Sequence, residues 1–240
     1  MKKSFLSLIC FFTIPLLGNS QAMSYSDPAA AYLRVVLEKG EGGTYQNIGN
    51  FKVTGTSYLY GEKLNGSVFA GNESGSNLTL SYNTYNQQLD IYPNGSSFAI
   101  IKPASLVDSF ILMKSDQSGY IKENLLFYSS RFFKTDIKPC FFQVVQSGSR
   151  FCLYKAYSSS LDIVSTNYIQ SDLRQFTLDV TYYYYDATTQ KLKKLKTGKG
   201  KLMDEFKSIM DISSFLDDNY NSHQEESLRQ IFNALNQKAK

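Results

Sequence analysis

The sequence predicts an α+β chain that is mainly β: an antiparallel curved sheet or flattened sandwich, with an N-terminal helix and C-terminal helices packed on it. Three observations lead there. Apolar and polar residues alternate at period two in successive runs from Phe51 to Tyr185. The aromatic residues are 18 tyrosines and 17 phenylalanines with no tryptophan, types that suit strands. After Lys201 the apolar spacing becomes helical and stays so nearly to the end. The implied division is a signal peptide over 1–22, a helix and glycine-rich joint over 23–50, an antiparallel β domain over 51–200 and a helical segment over 201–240.

The opening MKKSFLSLICFFTIPLLGNSQA places two lysines before an apolar run from Phe5 to Leu17 and ends in Ser20, Gln21 and Ala22. That is the order of a secretory signal cleaved after Ala22. The run is about 13 residues long and contains Pro15, against the roughly 20 residues that span a bilayer. Cys10 follows the bulky Ile9 and sits too early for a lipid-modified cysteine. The expected mature chain is therefore exported: periplasmic, on the outer surface or secreted. No later apolar run is long enough for a transmembrane helix. Removing 1–22 takes away two lysines and no acid, leaving 23 basic groups against 21 acidic ones and a net charge of +2. Such a balance gives no electrostatic reason for a specific nucleic-acid partner.

The mature region opens with Asp27 as an N-cap and Pro28 at the first helical position, followed by Tyr32, Leu33, Val36 and Leu37 at helical spacing. A helix over 29–38 is expected, ending at Gly40. The Gly40, Gly42 and Gly43 joint lacks the preceding strand, spacing and lysine of a phosphate-cradling loop. Period two then predicts strands around Phe51 and Val53, over 58–60 and over 64–69, with a loop over 71–77.

The clearest register lies within 78–110. Asn94 and Gly95 tolerate the positive φ that both central positions of a type I′ turn require. Strands flanking that turn would pair at residue numbers summing to 189, with Ile91 opposite Phe98 and Leu89 opposite Ile100. A second turn centred on Tyr85 and Asn86 gives a sum of 171, with Tyr82 opposite Leu89 and Leu80 opposite Ile91. Three strands then share an apolar face that carries Tyr82, Leu89, Ile91, Phe98 and Ile100. A one-residue slip would turn every side chain over.

Beyond the meander, 105–113 reads as a strand with Leu106, Phe110 and Leu112 on one side. The stretch 116–137, with Leu125, Leu126, Phe127, Phe132 and Phe133, fits two short strands or a strand and an apolar loop. Any part of it left exposed would be an interaction surface. A hairpin over 140–157, turning at Ser147 and Gly148, pairs Phe142 with Leu153 and Val144 with Phe151 at a sum of 295. That register sets Cys140 and Cys152 on opposite faces. A one-residue shift leaves them roughly 13 Å out of register at ~3.3 Å per residue, beyond the ~7 Å Cα limit of a disulfide. Two separate thiols are expected, a bond requiring a bulge. In the strand over 176–185, Phe176, Leu178, Val180, Tyr182 and Tyr184 alternate with Asp179, Thr181, Tyr183 and Tyr185, so the four consecutive tyrosines divide two and two between faces.

Lysines at 191, 193, 194, 196, 199 and 201 admit two readings. They protect a sheet edge or linker from aggregation, or Lys191, Lys193, Lys194 and Lys196 bind an anionic polymer or envelope lipid. Leu202, Met203, Phe206, Ile209 and Met210 then form one face of a helix, and Asp211 caps a short second one through Ile212, Phe215 and Leu216. Ser222 and Glu225 have capping-box spacing before a last helix striped by Leu228, Ile231, Phe232 and Leu235.

Catalytic signals are missing from this pattern. His223 is the single histidine, in the first turn of the last helix, with no nucleophile in a strand-turn context nearby. No His and Cys spacing suits a metal, and the pairs Asp217-Asp218 and Glu225-Glu226 lie at helix ends or on polar faces. No catalytic, cofactor-binding or metal-ligating residue is expected.

Several features in order carry a resemblance: Tyr58-Leu59-Tyr60 before Gly66-Ser67-Val68, the run Leu80-Ser81-Tyr82-Asn83-Thr84-Tyr85-Asn86, Ser109-Phe110, Phe141-Phe142-Gln143-Val144, the tyrosines 182–185 and the closing helix 228–236. Across 55–237 the chain resembles a group of uncharacterised β-rich proteins exported by Gram-negative bacteria. The resemblance implies an envelope or secreted location and supplies no activity or site residue. The expected role is an exported, non-catalytic interaction protein whose partner is an envelope protein or lipid. The alternative is a periplasmic binder of a lipid or other apolar ligand, held on Tyr82, Leu89, Ile91, Phe98 and Ile100 in a concave sheet lidded by helices.

Overall fold

A computed structural model describes residues 34–39, 45–93, 96–115, 121–163, 173–221 and 223–238. Its strands are β1 (Arg34–Lys39), β2 (Tyr45–Thr54), β3 (Leu64–Ala70), β4 (Glu73–Asn83), β5 (Gln88–Tyr92), β6 (Ile100–Pro103), β7 (Ser109–Ser115), β8 (Ile121–Ser129), β9 (Phe141–Gln146), β10 (Phe151–Ile163), β11 (Leu173–Asp186) and β12 (Lys191–Lys194). Two helices follow, α1 (Lys199–Phe206) and α2 (Gln224–Lys238). The strands form one open sheet in the order β1-β2-β11-β10-β9-β8-β7-β3-β4-β5-β6, with β12 also paired to β11. The β2–β11 pair is parallel, through Leu173 with Lys52, Arg174 with Val53 and Gln175 with Thr54. The other neighbours are antiparallel, so the sheet is mixed but mainly as expected.

The N-terminal helix is a correction. Arg34–Lys39 is a strand, paired antiparallel with β2, while 29–33 and the joint 40–43 lie outside the described residues. Val35 and Val36 lose rotamer freedom in a helix and suit a strand once a partner edge is present. The expected strand over 58–60 is reduced to one bridge between Tyr58 and Asn83, and the loop over 71–77 gives way to β4 starting at Glu73. Ser105 and Leu106 stay outside β7, leaving Leu106 exposed while Phe110 and Leu112 are buried.

The β4–β5 register is the expected one, with Leu80 on Ile91 and Tyr82 on Leu89. In β5–β6, Ile91 meets Ile100 and Leu89 meets Lys102, two residues away from the expected pairing. Residues 93–99 stand between the strands, too many for a two-residue turn; Asn94 and Gly95 themselves lie outside the described residues. An even slip keeps the faces. In β9–β10 the slip is odd: Val144 pairs with Tyr154 and Phe142 with Ala156, after a bulge at Leu153 and Tyr154. Phe142 and Val144 therefore face away from Phe151 and Leu153, correcting the expected common face. Cys140 and Cys152 are separate thiols.

Two apolar cores lie on the inner face of the sheet. The first joins Leu59, Leu80, Tyr82, Leu89, Phe110, Leu112, Phe127, Phe141 and Tyr157. Phe110 stacks on Phe127 with centroids 4.6 Å apart, and Tyr82 meets the Phe110, Phe127 and Phe141 rings edge-on at 5.6, 5.7 and 5.4 Å. The sheet bends far enough for the β4–β5 turn to reach β10: Ser159 donates its N–H to the Thr84 carbonyl at 3.2 Å, and Gln87 Nε2 donates to the Tyr157 carbonyl at 2.8 Å.

Helices build the second core. Leu202 and Phe206 of α1 and Leu228, Ile231, Phe232 and Leu235 of α2 are buried against Val145, Phe151, Leu153 and Tyr184. Each such side chain contributes roughly 1.5–3 kcal/mol when fully buried. Asn236 fixes α2 to the β9–β10 turn. Its Oδ1 accepts from the Arg150 and Phe151 amides at 3.0 and 2.8 Å, and its Nδ2 donates to the Phe151 and Phe232 carbonyls at 2.9 and 2.7 Å. The expected apolar stripe of α2 holds at all four positions, whereas Met203 on α1 is exposed and Ser222 lies outside the described residues.

Candidate binding surface

The longest strands, β10 and β11, run on together beyond β9, with β2 alongside β11 at residues 173–175. On β10, pairing with β9 ends at Ala156, yet β10 and β11 continue together to Ile163 and Arg174. Alternation makes this extension amphipathic. Tyr157 pairs with Val180, Ser159 with Leu178, Leu161 with Phe176 and Ile163 with Arg174, all on the face that continues the inner side of the sheet. Ser158, Ser160 and Asp162 face the other way with Asp179, Thr177 and Gln175. Part of this side is uncovered: Val180 is 46%, Leu178 47% and Ile163 65% exposed, while Tyr157 is buried and Leu161 and Phe176 are half-buried. The β4–β5 turn covers part of it: Tyr85 lies ring to ring with Phe176 at 5.6 Å, and Thr84 Oγ1 lies 2.6 Å from Ser159 Oγ.

Where this strip re-enters the molecule it meets a cluster of polar groups between the two cores. Lys155 is only 9% exposed, and its Nζ lies 2.5 Å from Glu225 Oε2 and 5.3 and 6.0 Å from the Tyr157 and Tyr182 ring centroids. Arg229 holds the other Glu225 oxygen at 2.9 Å and donates to the Val145 carbonyl at 2.7 Å. Tyr182 donates to Glu225 at 3.4 Å. Tyr157 donates its hydroxyl proton to Gln143 Oε1 at 2.5 Å, so Tyr60, 2.9 Å from Tyr157, is the donor of that second bond. Lys114 Nζ sits 4.7 Å above the Tyr60 ring.

Burial sets the protonation of this cluster. It pushes the Tyr60 and Tyr157 phenols far above their ordinary value and Tyr182 up to about 12. These hydroxyls are therefore neutral hydrogen-bonding groups near neutral pH. Burial acts to raise Glu225 too, but hydrogen bonds from Lys155 and Arg229 and their charges hold it below the usual carboxylate range. The arrangement is an ionised carboxylate shared by two cations beside neutral phenols. It is suited to holding polar groups in place.

The five residues of the expected apolar-ligand face do not share one surface. Tyr82 and Leu89 are wholly buried in the first core, Ile91 packs at its border, and Phe98 and Ile100 are 61% and 49% exposed at the β6 edge. Lys191, Lys193 and Lys194 lie on β12 and Lys196 just after it, all exposed. Lys193 is drawn to Glu205 at 3.7 Å and to the Tyr184 ring at 5.6 Å, so β12 forms a lysine-bearing edge against β11. The tyrosine run divides as expected: Tyr182 and Tyr184 turn inward, while Tyr183 packs outside on Phe142 and Tyr185 on Phe133. Among the described residues no group of His, Cys, Asp and Glu is placed to hold a metal, and no helix is long and apolar enough to cross a membrane.

Sequence reasoning did not find the polar cluster. Tyr60, Lys114, Gln143, Lys155, Tyr182 and Glu225 come from separate segments, and the one local sign was the Glu225 and Arg229 spacing of four on a helix. Comparison with known proteins gives no match to a family model, to a curated protein or to a solved structure, so the surface stands on its own geometry.

Proposed function

We propose that this is an exported, non-catalytic interaction protein that contacts its partner at the cell envelope through the uncovered face of the β10–β11 extension. The observation that carries the reading is the exposed pair Val180 and Leu178 on β11, with Ile163 exposed farther along the same face on β10, on a regular, fully paired ribbon. Neighbouring exposed apolar groups on rigid backbone mark a contact surface better than scattered ones do. The secretory pattern of 1–22 supports the location. Neutral phenols and an ion-paired Glu225 support binding over proton transfer.

The test replaces Leu178 and Val180 together by asparagine and follows the protein in fractionated cells. The wild-type chain is expected to be retained with the envelope. The variant moves to the soluble fraction while remaining folded, its melting temperature lowered by only a few degrees, because both side chains are about half exposed on an already paired strand. An unchanged distribution overturns the reading. So does a hydrolytic activity that disappears on changing one acidic residue.

A further inference from the structure

We infer that the β10–β11 strip and the Lys155 cluster form one site for a single-chain anionic amphiphile, an alkyl chain ending in a carboxylate or phosphate. The inference rests on reading the strip as a binding surface and adds what occupies it. The two parts are continuous on one face of two adjacent strands: Lys155 and Tyr182 pair, then Tyr157 and Val180, then Ser159 and Leu178. From Tyr182 to Phe176 this face changes from polar to apolar over six residues of β11, on the order of 20 Å at ~3.3 Å per residue. A molecule matching it has one polar end and one extended apolar chain.

Charge selects the sign of the polar end. Lys155, Arg229 and Lys114 supply three positive groups, and Glu225 and Glu123 two negative ones. Glu225 is already shared by Lys155 and Arg229. The balance is one positive charge beside neutral phenols, with Lys114 over the Tyr60 ring and opposite Glu123 in the β7–β8 pair. An anionic head placed there extends its chain along Val180 and Leu178; a cationic head would face Lys114 and Lys155.

The experiment titrates the mature protein, by tyrosine fluorescence below the micellar concentration, with dodecanoate, dodecyl phosphate and dodecyltrimethylammonium. Both anions are expected to bind at least ten-fold more tightly than the cation. Leu178→Asn with Val180→Asn weakens the anions at least ten-fold, and Lys114→Gln, which removes the positive charge without setting a second carboxylate opposite Glu123, reduces the preference for them while the melting temperature holds. Equal affinity for both head charges, no binding, or binding indifferent to the strip substitutions each overturns the inference. If dodecanoate does not bind but the strip variant still leaves the envelope, the amphiphile is wrong and the contact surface stands. If dodecanoate binds as expected and the variant stays in the envelope, the site stands and the envelope role falls.

Discussion

Asp90 lies on the outer face of β5, only 4% exposed, where Tyr58 donates to Oδ2 at 2.7 Å and Gln88 to Oδ1 at 3.2 Å. Burial raises its pKa to about 6 against the lowering effect of those two bonds, and nearby Glu62 adds to the rise. A carboxyl with a raised folded-state pKa binds its proton more tightly in the folded protein than in the unfolded chain. Its contribution is thus full below the unfolded value of 3.8 and is lost as pH rises through about 6. Asp90→Asn keeps an acceptor for Tyr58 and removes the buried charge. Chemical denaturation should show the variant more stable by about 1–3 kcal/mol at pH 8. The gap should close towards pH 4. A gap independent of pH would place the effect elsewhere. The sequence did not mark Asp90, because its burial depends on the 57–60 segment lying beside β4.

At the scale of elements, α2 is held by its apolar stripe and by one side chain. Asn236 makes three hydrogen bonds to the β9–β10 turn and one to the Phe232 carbonyl of its own helix, and a Cβ on Gly148 would fall on the Asn236 amide. Asn236→Ala leaves buried backbone groups without partners and should cost about 2–4 kcal/mol. Gly148→Ala displaces the same amide and should cost a similar amount. The double variant should lose much less than the two losses added, because both break one contact. Additive losses in denaturant titrations would show that Gly148 acts independently. The stripe of α2 was legible because helical spacing is a local property. Asn236 was not, since an asparagine near a helix end carries no sign of a turn some 85 residues earlier. The Arg34–Lys39 strand was misread for a related reason: β2, not local spacing, decides its state.

Over the whole molecule, two cores share β9 and β10, which give Phe141 and Tyr157 to one and Val145, Phe151 and Leu153 to the other. Strands that serve both cores should melt with both. Phe127→Ala in the first core and Phe232→Ala in the second should each cost about 3–5 kcal/mol. Calorimetry should show each variant with a single transition at lower temperature. Two separate transitions in either would mean that the cores unfold independently. Alternation, local register and helical stripes, all properties of near neighbours, determined from the sequence alone that the chain is mainly β, that Leu80 pairs with Ile91, that the tyrosines of 182–185 split between faces and that α2 buries Leu228, Ile231, Phe232 and Leu235. Only the tertiary structure decided which side of β9 faces inward, because a bulge reverses parity. It alone decided that β10 and β11 run on beyond β9 with part of an apolar face uncovered. It also brought Lys155, Tyr60 and Glu225 together, since a bent sheet and a docked helix join residues that no spacing along the chain connects.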